Sequence, residues 1–169
     1  PAGEIPADEA LARILAAVYD WLYPGLDKRQ RDRIRGALLE KAISRVRGDY
    51  EYHWWAVSYR CNWCGVCNSG LGLSALSLLT EDPRLVDVVA ESYTRIGKML
   101  DQIDPDGGWQ EGCGYWFYGT HTSVYFAEAM KRLADVLGPP QRIAHLGAAQ
   151  RVDVVDRCRD VLGHPQGLH

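Results

Sequence analysis

Three features that would have narrowed the function are missing from this sequence: a long hydrophobic run, an excess of basic residues and an even number of cysteines. The longest weakly polar stretch, residues 66–79, contains Asn68, Ser69, Gly70 and Gly72 and is too short to cross a bilayer. The net charge is −3, whereas a protein that binds nucleic acid needs a basic surface for the phosphates. We therefore expect no membrane-spanning segment and no nucleic-acid partner.

The five cysteines are an odd set, which fits a framework of disulfides poorly. They are Cys61, Cys64, Cys67, Cys113 and Cys158. The spacing of the first three, with Cys113 as a distant fourth, is also typical of sites that hold zinc or an iron–sulfur cluster. We expect instead that Cys64 and Cys67 lie in an apolar helix, where small buried cysteines are common. We predict no metal and no other cofactor, and the metal site stays open as an alternative.

The sequence does not identify the cellular compartment of the protein. The chain starts at Pro1 without Met and shows no signal-peptide pattern, but a trimmed precursor or a cloned fragment would look the same. Periplasmic, secreted and cytoplasmic locations all remain compatible with the sequence.

Apolar residues recur at helical spacing through almost every long segment, and no convincing strand pattern occurs. Asp27 and Gln30 have the spacing of a capping box, and Asp82-Pro83 is typical of a helix start. The predicted helices cover residues 11–22, 27–48, 66–79, 82–103, 120–137 with Thr120 as the N-cap, and a weaker one at 152–162.

The predicted helices group into hairpins at about 8–47, 64–103 and 120–162, with evenly spaced starting points. Repeated helical hairpins build solenoids and α/α toroids, because one hairpin cannot bury its apolar face alone. The fold class is therefore predicted as all-α, with antiparallel hairpins forming part of an α/α toroid. Residues 1–137 would be the partial toroid domain, and residues 138–169 a divergent segment, either helical or a truncation scar.

Two loops, residues 50–63 and 104–119, fall between the predicted hairpins and should lie at the same end of the molecule. Five of the six tryptophans lie in or beside them: Trp54, Trp55, Trp63, Trp109 and Trp116. Aromatic rings with a polar edge suit sugar rings, which they contact through C–H faces. For Trp54 and Trp55, packing of the loop is an equally good interpretation.

The segment RCNWCGVCNSGLG at 60–72 resembles the "NW…VCN-GLGL" motif of heparinase II/III-like polysaccharide lyases. The segment PDGGWQEGCGYWFYGT at 105–120 resembles a second motif of that family, "PDG-W-EG-GYW-YGT". Their order and spacing match over roughly residues 8–137. The resemblance implies an α/α toroid that cleaves acidic polysaccharides, such as heparan sulfate or alginate, by β-elimination.

β-Elimination removes the proton next to a uronate carboxylate, so a neutral donor must share the charge that builds up there. The resemblance gives Asn62 this role and gives Tyr115 or Tyr118 the role of base and acid. Residues that would contact substrate are Trp63, Trp109, Glu111, Trp116 and His121. Glu111 could bind a sugar hydroxyl or orient a neighbour.

The sequence departs from the family in ways that leave other functions open. Several relatives have a His next to the Asn, where this chain has Cys61 and Trp63. The family's C-terminal β-sandwich, which supplies a further catalytic residue, has no counterpart here, so we expect the chain alone to be a poor catalyst that needs this domain as its partner. The alternatives are a non-catalytic carbohydrate-binding module and a terpene-cyclase-like toroid, the latter suggested by Leu100, Gln102 and Gly107-Gly108-Trp109, which resemble a single Gln–Trp repeat.

Overall fold

The computed structural model describes residues 7–48 and 50–137, and every regular element in these ranges is helical. The α-helices are α1 (Ala7–Leu22), α2 (Lys28–Ala37), α3 (Arg45–Gly48), α4 (Trp54–Val57), α5 (Asn62–Leu78), α6 (Val86–Leu100) and α7 (Cys113–Leu137). A π-helical segment, Leu38–Ser44, joins α2 to α3, and 3-10 turns lie at Tyr23–Gly25, Tyr50–Tyr52 and Pro83–Leu85. The all-α prediction is confirmed for this part of the chain.

Two helix starts form as the sequence predicts. The Asp27 carboxylate accepts from the Gln30 backbone N–H at 2.8 Å, and the Gln30 side chain accepts from the Asp27 N–H at 2.9 Å. This reciprocal pair satisfies two backbone donors that have no partner inside α2. Asp82 likewise accepts from the Arg84 N–H before the turn that leads into α6.

Helix α5 lies at the centre of the described fold and packs against α1, α6 and α7. Gly65, near its start, lies against Met99 near the end of α6, so α5 and α6 are antiparallel. Gly65 also lies against Gly119, and Gly72 against Phe126, so α5 and α7 run parallel in matched register. The first helices of successive hairpins thus stack side by side, with α6 returning antiparallel to α5.

The other side of α5 is held by α1. The Tyr19 hydroxyl, on α1, donates to Glu81, just beyond the end of α5, at 2.6 Å. This contact joins the C-terminal ends of two helices that also pack against each other, so α1 runs parallel to α5. Because α5 has neighbours on several sides, polar side chains such as Asn68 and Ser74 are buried and bond to its own carbonyl oxygens.

Two predicted boundaries are wrong. Helix α5 starts at Asn62 rather than near residue 66, and α7 starts at Cys113 rather than at Thr120. Thr120 is no N-cap, because its hydroxyl donates to the carbonyl oxygen of Trp116 inside the helix. Gly114 and Gly119 suggested that the loop extends to residue 119. The loop instead ends at Gly112, whose φ of 84° favours glycine, and α7 begins at the next residue.

The predicted helix at 152–162, and the whole segment 138–169, lie outside the described residues. Within the described ranges, no helix is long and apolar enough to cross a membrane. Of the two tryptophans considered as packing residues, Trp55 is 1 % exposed and belongs to the core, whereas Trp54 is 50 % exposed.

Candidate active site

The two loops meet where Glu111 reaches the start of α5. The Asn62 backbone N–H donates to Oε2 of Glu111 at 2.5 Å, and the Asn62 side-chain Nδ2 lies 3.1 and 3.2 Å from the two carboxylate oxygens. Asn62 itself is only 2 % exposed. The structure therefore joins two of the predicted site residues, one from each motif, in a direct polar contact.

The start of α5 lacks local partners for its backbone N–H groups, and this favours the contact with Glu111. The first turn of a helix has N–H groups without partners inside the helix, and the N-cap of α5, Cys61, offers no side-chain hydrogen bond. Helix α5 also has no acidic residue in its first turn. A carboxylate at a helix N-terminus is favoured by the helix dipole, so Glu111 supplies from a distant loop what the local sequence does not.

The loop that carries Glu111 is fixed by its own contacts. The Trp109 indole Nε1–H donates to Glu111 Oε2 at 3.0 Å, which makes a third donor to the same carboxylate. The Gln110 side chain donates to the backbone oxygen of Arg60, in the first loop. Glycines with positive φ stand on both sides, at Gly107 and Gly112. Trp109 thus holds the carboxylate in place. The contacts of Gln110 and Glu111 with the first motif confirm that the two loops lie at the same end.

The Asn62 amide has a defined orientation. Its Nδ2 faces the carboxylate, whereas Oδ1 is buried and has no hydrogen-bond partner in the described part of the chain. Nδ2 carries two hydrogens that diverge by about 120°, so a single carboxylate accepts only one of them well. The other hydrogen is directed away from Glu111.

The two candidate tyrosines lie on the first turns of α7, which the sequence predicted as loop. Gly119 lies against the Asn62 backbone, where a β carbon would be 3.1 Å from Asn62 Cα. Tyr115 precedes Gly119 by about one helical turn, or roughly 6 Å along the axis, on the same face of α7. Tyr115 is 56 % exposed and Tyr118 is partly buried. Neither hydroxyl has a hydrogen-bond partner among the described residues.

His121 belongs to an aromatic row on α7 that includes two residues not singled out from the sequence. Its ring stacks on Phe117, with centroids 4.9 Å apart, and meets Tyr125 edge-on at 5.7 Å. Its Nδ1 lies 3.0 Å from the carbonyl oxygen of Phe117, so Nδ1 carries the proton and Nε2 of the neutral ring is an acceptor. The spacing 117, 121, 125 on one helix face could have revealed this row, had α7 been predicted to start earlier.

The remaining predicted substrate-binding tryptophans are dispersed. Trp63 is partly buried and its ring lies 5.9 Å from that of Trp54. Trp116 is exposed on the first turn of α7. The described contacts do not join either ring to the Asn62–Glu111 pair.

The cysteine motif does not converge. The Cys61 thiol donates to the carbonyl oxygen of Ser58 at 3.0 Å, and the Cys64 thiol to that of Arg95 at 3.7 Å. Burial raises the pKa of Cys64 to about 12, which favours the thiol over the thiolate that metals bind. In the described ranges no group of three or more His, Cys, Asp or Glu side chains is arranged to hold a metal ion.

Comparison with known protein families finds no family that matches this chain, and a search of curated proteins finds no match either.

Proposed function

We propose that this chain forms part of the α/α-toroid domain of a polysaccharide lyase that cleaves uronate-containing acidic polysaccharides, of the heparan sulfate or alginate type, by β-elimination. The contact between Asn62 and Glu111 is the observation that carries the proposal. It joins the two segments that resemble the heparinase II/III-like motifs, although they are far apart in the sequence.

The proposed chemistry assigns one task to each side chain. The second Nδ2 hydrogen of Asn62 would donate to the uronate carboxylate as negative charge builds up there. This amide adds no permanent charge, and it is held at the N-terminal end of α5, where the helix dipole also favours an anion. Tyr115 would accept the proton as a phenolate, because it lies one turn from Gly119 on the face of α7 that packs against Asn62. The bond between the uronate ring and the glycosidic oxygen then breaks, and the same or another residue protonates that oxygen.

The toroid arrangement is supported by the direction of the helices. In a toroid of hairpins, the equivalent helices of successive hairpins run parallel and the returning helices run antiparallel to them. The relations of α5 to α1, α6 and α7 follow this pattern. Helix α7 also presents exposed apolar residues, Phe117, Val124 and Tyr125, on a face that does not contact α5. In the proposed toroid this face would pack against a further hairpin.

The test measures both binding and turnover. The full chain is mixed with oligosaccharides of heparan sulfate and of alginate, and the rise in ultraviolet absorbance from the unsaturated uronate product is followed. Binding is measured in parallel by tryptophan fluorescence, with a neutral oligosaccharide of equal length as control. We expect binding of a uronate oligomer, and slow product formation that Asn62→Ala abolishes. No binding and no product with either oligomer would contradict the proposal.

A non-catalytic carbohydrate-binding module is the second candidate, because the rings of Tyr115, Phe117 and Tyr125 are exposed on one helix. The same experiment separates the two functions. Binding of the acidic oligomer without any unsaturated product, even over long incubation, would favour the binding module.

A further inference from the structure

We infer that Glu111 is a positioning residue that fixes the Asn62 amide, rather than a residue that binds a sugar hydroxyl. The inference rests on the proposed function, since the value of a fixed amide depends on what Asn62 does. Its physical basis is the set of contacts around one carboxylate.

The Glu111 carboxylate is already engaged by the protein. It accepts from Asn62 N, Asn62 Nδ2 and Trp109 Nε1, with donor–acceptor distances between 2.5 and 3.2 Å. A carboxylate has about four lone-pair positions, and the three protein donors converge on this one, all of them on Oε2. The side chain is therefore built into the protein's own hydrogen-bond network.

A carboxylate also selects one orientation of the amide. Rotation of the Asn62 side chain by 180° would exchange Nδ2 and Oδ1 with almost no change in shape. An ionised carboxylate only accepts hydrogen bonds, so it attracts Nδ2 and repels Oδ1. The observed orientation, with Oδ1 turned away and without a partner, is the one that Glu111 imposes. This orientation also fixes the direction of the second Nδ2 hydrogen.

Glu111 has a second effect, because it caps the first N–H of α5, and a test must separate capping from positioning. Glu111→Gln does this. The remaining carbonyl oxygen of Gln can still accept from Asn62 N, Asn62 Nδ2 and Trp109 Nε1, because all three bind Oε2. The other oxygen, 3.2 Å from Asn62 Nδ2, becomes an NH2 group, which disfavours Nδ2 and can donate to Oδ1 in the opposite orientation of the Asn62 amide. Glu111→Gln therefore retains the cap but no longer selects a single orientation of the Asn62 amide, whereas Glu111→Ala loses both effects.

The experiment compares Glu111→Gln, Glu111→Ala and the matched control Glu128→Gln, which changes an exposed glutamate on α7. Thermal unfolding is expected to show Glu111→Gln close to wild type and Glu111→Ala less stable. Both Glu111 variants should lower kcat about 10- to 100-fold with little change in KM, because a misplaced donor acts mainly on the transition state. Glu128→Gln should match wild type.

NMR of the same variants provides a measurement that does not require turnover. In Glu111→Gln the side-chain NH2 resonances of Asn62 should shift strongly, while the Trp109 indole N–H resonance stays near its wild-type position. Unchanged Asn62 NH2 resonances in Glu111→Gln, or full kcat in that variant, would overturn the inference and leave Glu111 as a helix cap. Absence of product with the wild-type chain would contradict the proposed function alone, and the NMR result would then decide the role of Glu111.

Discussion

Gly65 of α5 lies directly against the backbone oxygen of Gly119 of α7, so closely that a β carbon on Gly65 would be 2.7 Å from that oxygen. The same β carbon would be 2.8 Å from the sulfur of Met99, on α6. One position thus sets the approach of two neighbouring helices. Because Gly119 also lies against the Asn62 backbone, this contact fixes how α7 stands relative to the candidate site.

Gly65→Ala should therefore destabilise the protein by about 1–3 kcal/mol, since the backbone oxygen of Gly119 cannot move aside as a side chain would. Gly97→Ala, in α6, is the matched control, because nothing lies within 4 Å of its β-carbon position. That change should stabilise the protein by about 0.5–1 kcal/mol through helix propensity. Urea unfolding of both variants measures the difference. Equal effects of the two substitutions would show that α5 and α7 do not approach this closely.

The sequence predicted the parts of the fold that depend on local chemistry. The Asp27–Gln30 capping box and the Asp82 cap are read from neighbouring residues, and both form. The start of α7 was missed because Gly114 and Gly119 lower helix propensity, whereas packing decides the outcome: Gly119 is helical where α7 meets Asn62. Local helix propensity carries no information about tertiary contacts, and this accounts for the error.

For the candidate site, the meeting of the two loops followed from the hairpin pattern, but the bonding within it did not. Asn62 and Glu111 are separated by 49 positions, and nothing in either segment specifies that the carboxylate caps α5. The orientation of the Asn62 amide depends on this contact. The stacking of His121 on Phe117 was not predicted either, because it requires α7 to start before residue 117.

We expect the purified chain to contain no stoichiometric zinc or iron. The thiols of Cys61 and Cys64 donate to different carbonyl oxygens, those of Ser58 and Arg95, so they do not share a direction in which a metal could be bound. Elemental analysis of protein purified without chelators checks this. About one zinc ion per chain, lost in Cys61→Ser, would contradict the prediction and support the metal-site alternative.

Alkaline conditions should destabilise the protein through Cys64. Burial raises the pKa of this thiol from 9.0 to about 12, so the folded state favours the protonated form. The resulting stability is fully present below pH 9 and is lost as the pH rises from 9 towards 12, with a slope of at most about 1.4 kcal/mol per pH unit. Urea unfolding between pH 8 and about 10 should show a shallower loss for Cys64→Ala than for Cys113→Ala, whose thiol is exposed. Equal slopes would show that the Cys64 thiol is not held in its protonated form.

The last prediction concerns the base. Tyr115→Phe removes one hydroxyl that has no partner in the described structure, so we expect the free energy of unfolding to change by less than about 0.5 kcal/mol. Product formation should fall strongly, roughly 100-fold or more, because a positioned proton acceptor contributes this much to such a step. Tyr118→Phe tests the alternative base: the Tyr118 ring lies 6.0 Å from that of His121, and the residue points about 100° away from the α7 face that meets Asn62. Product formation is measured by the ultraviolet absorbance of the unsaturated uronate.

Loss of activity in Tyr118→Phe alone would transfer the role of the base to Tyr118. Normal rates in both variants would remove a tyrosine base from the mechanism, and Nε2 of His121, left as an acceptor by the bond from Nδ1 to Phe117, would be the next group to test.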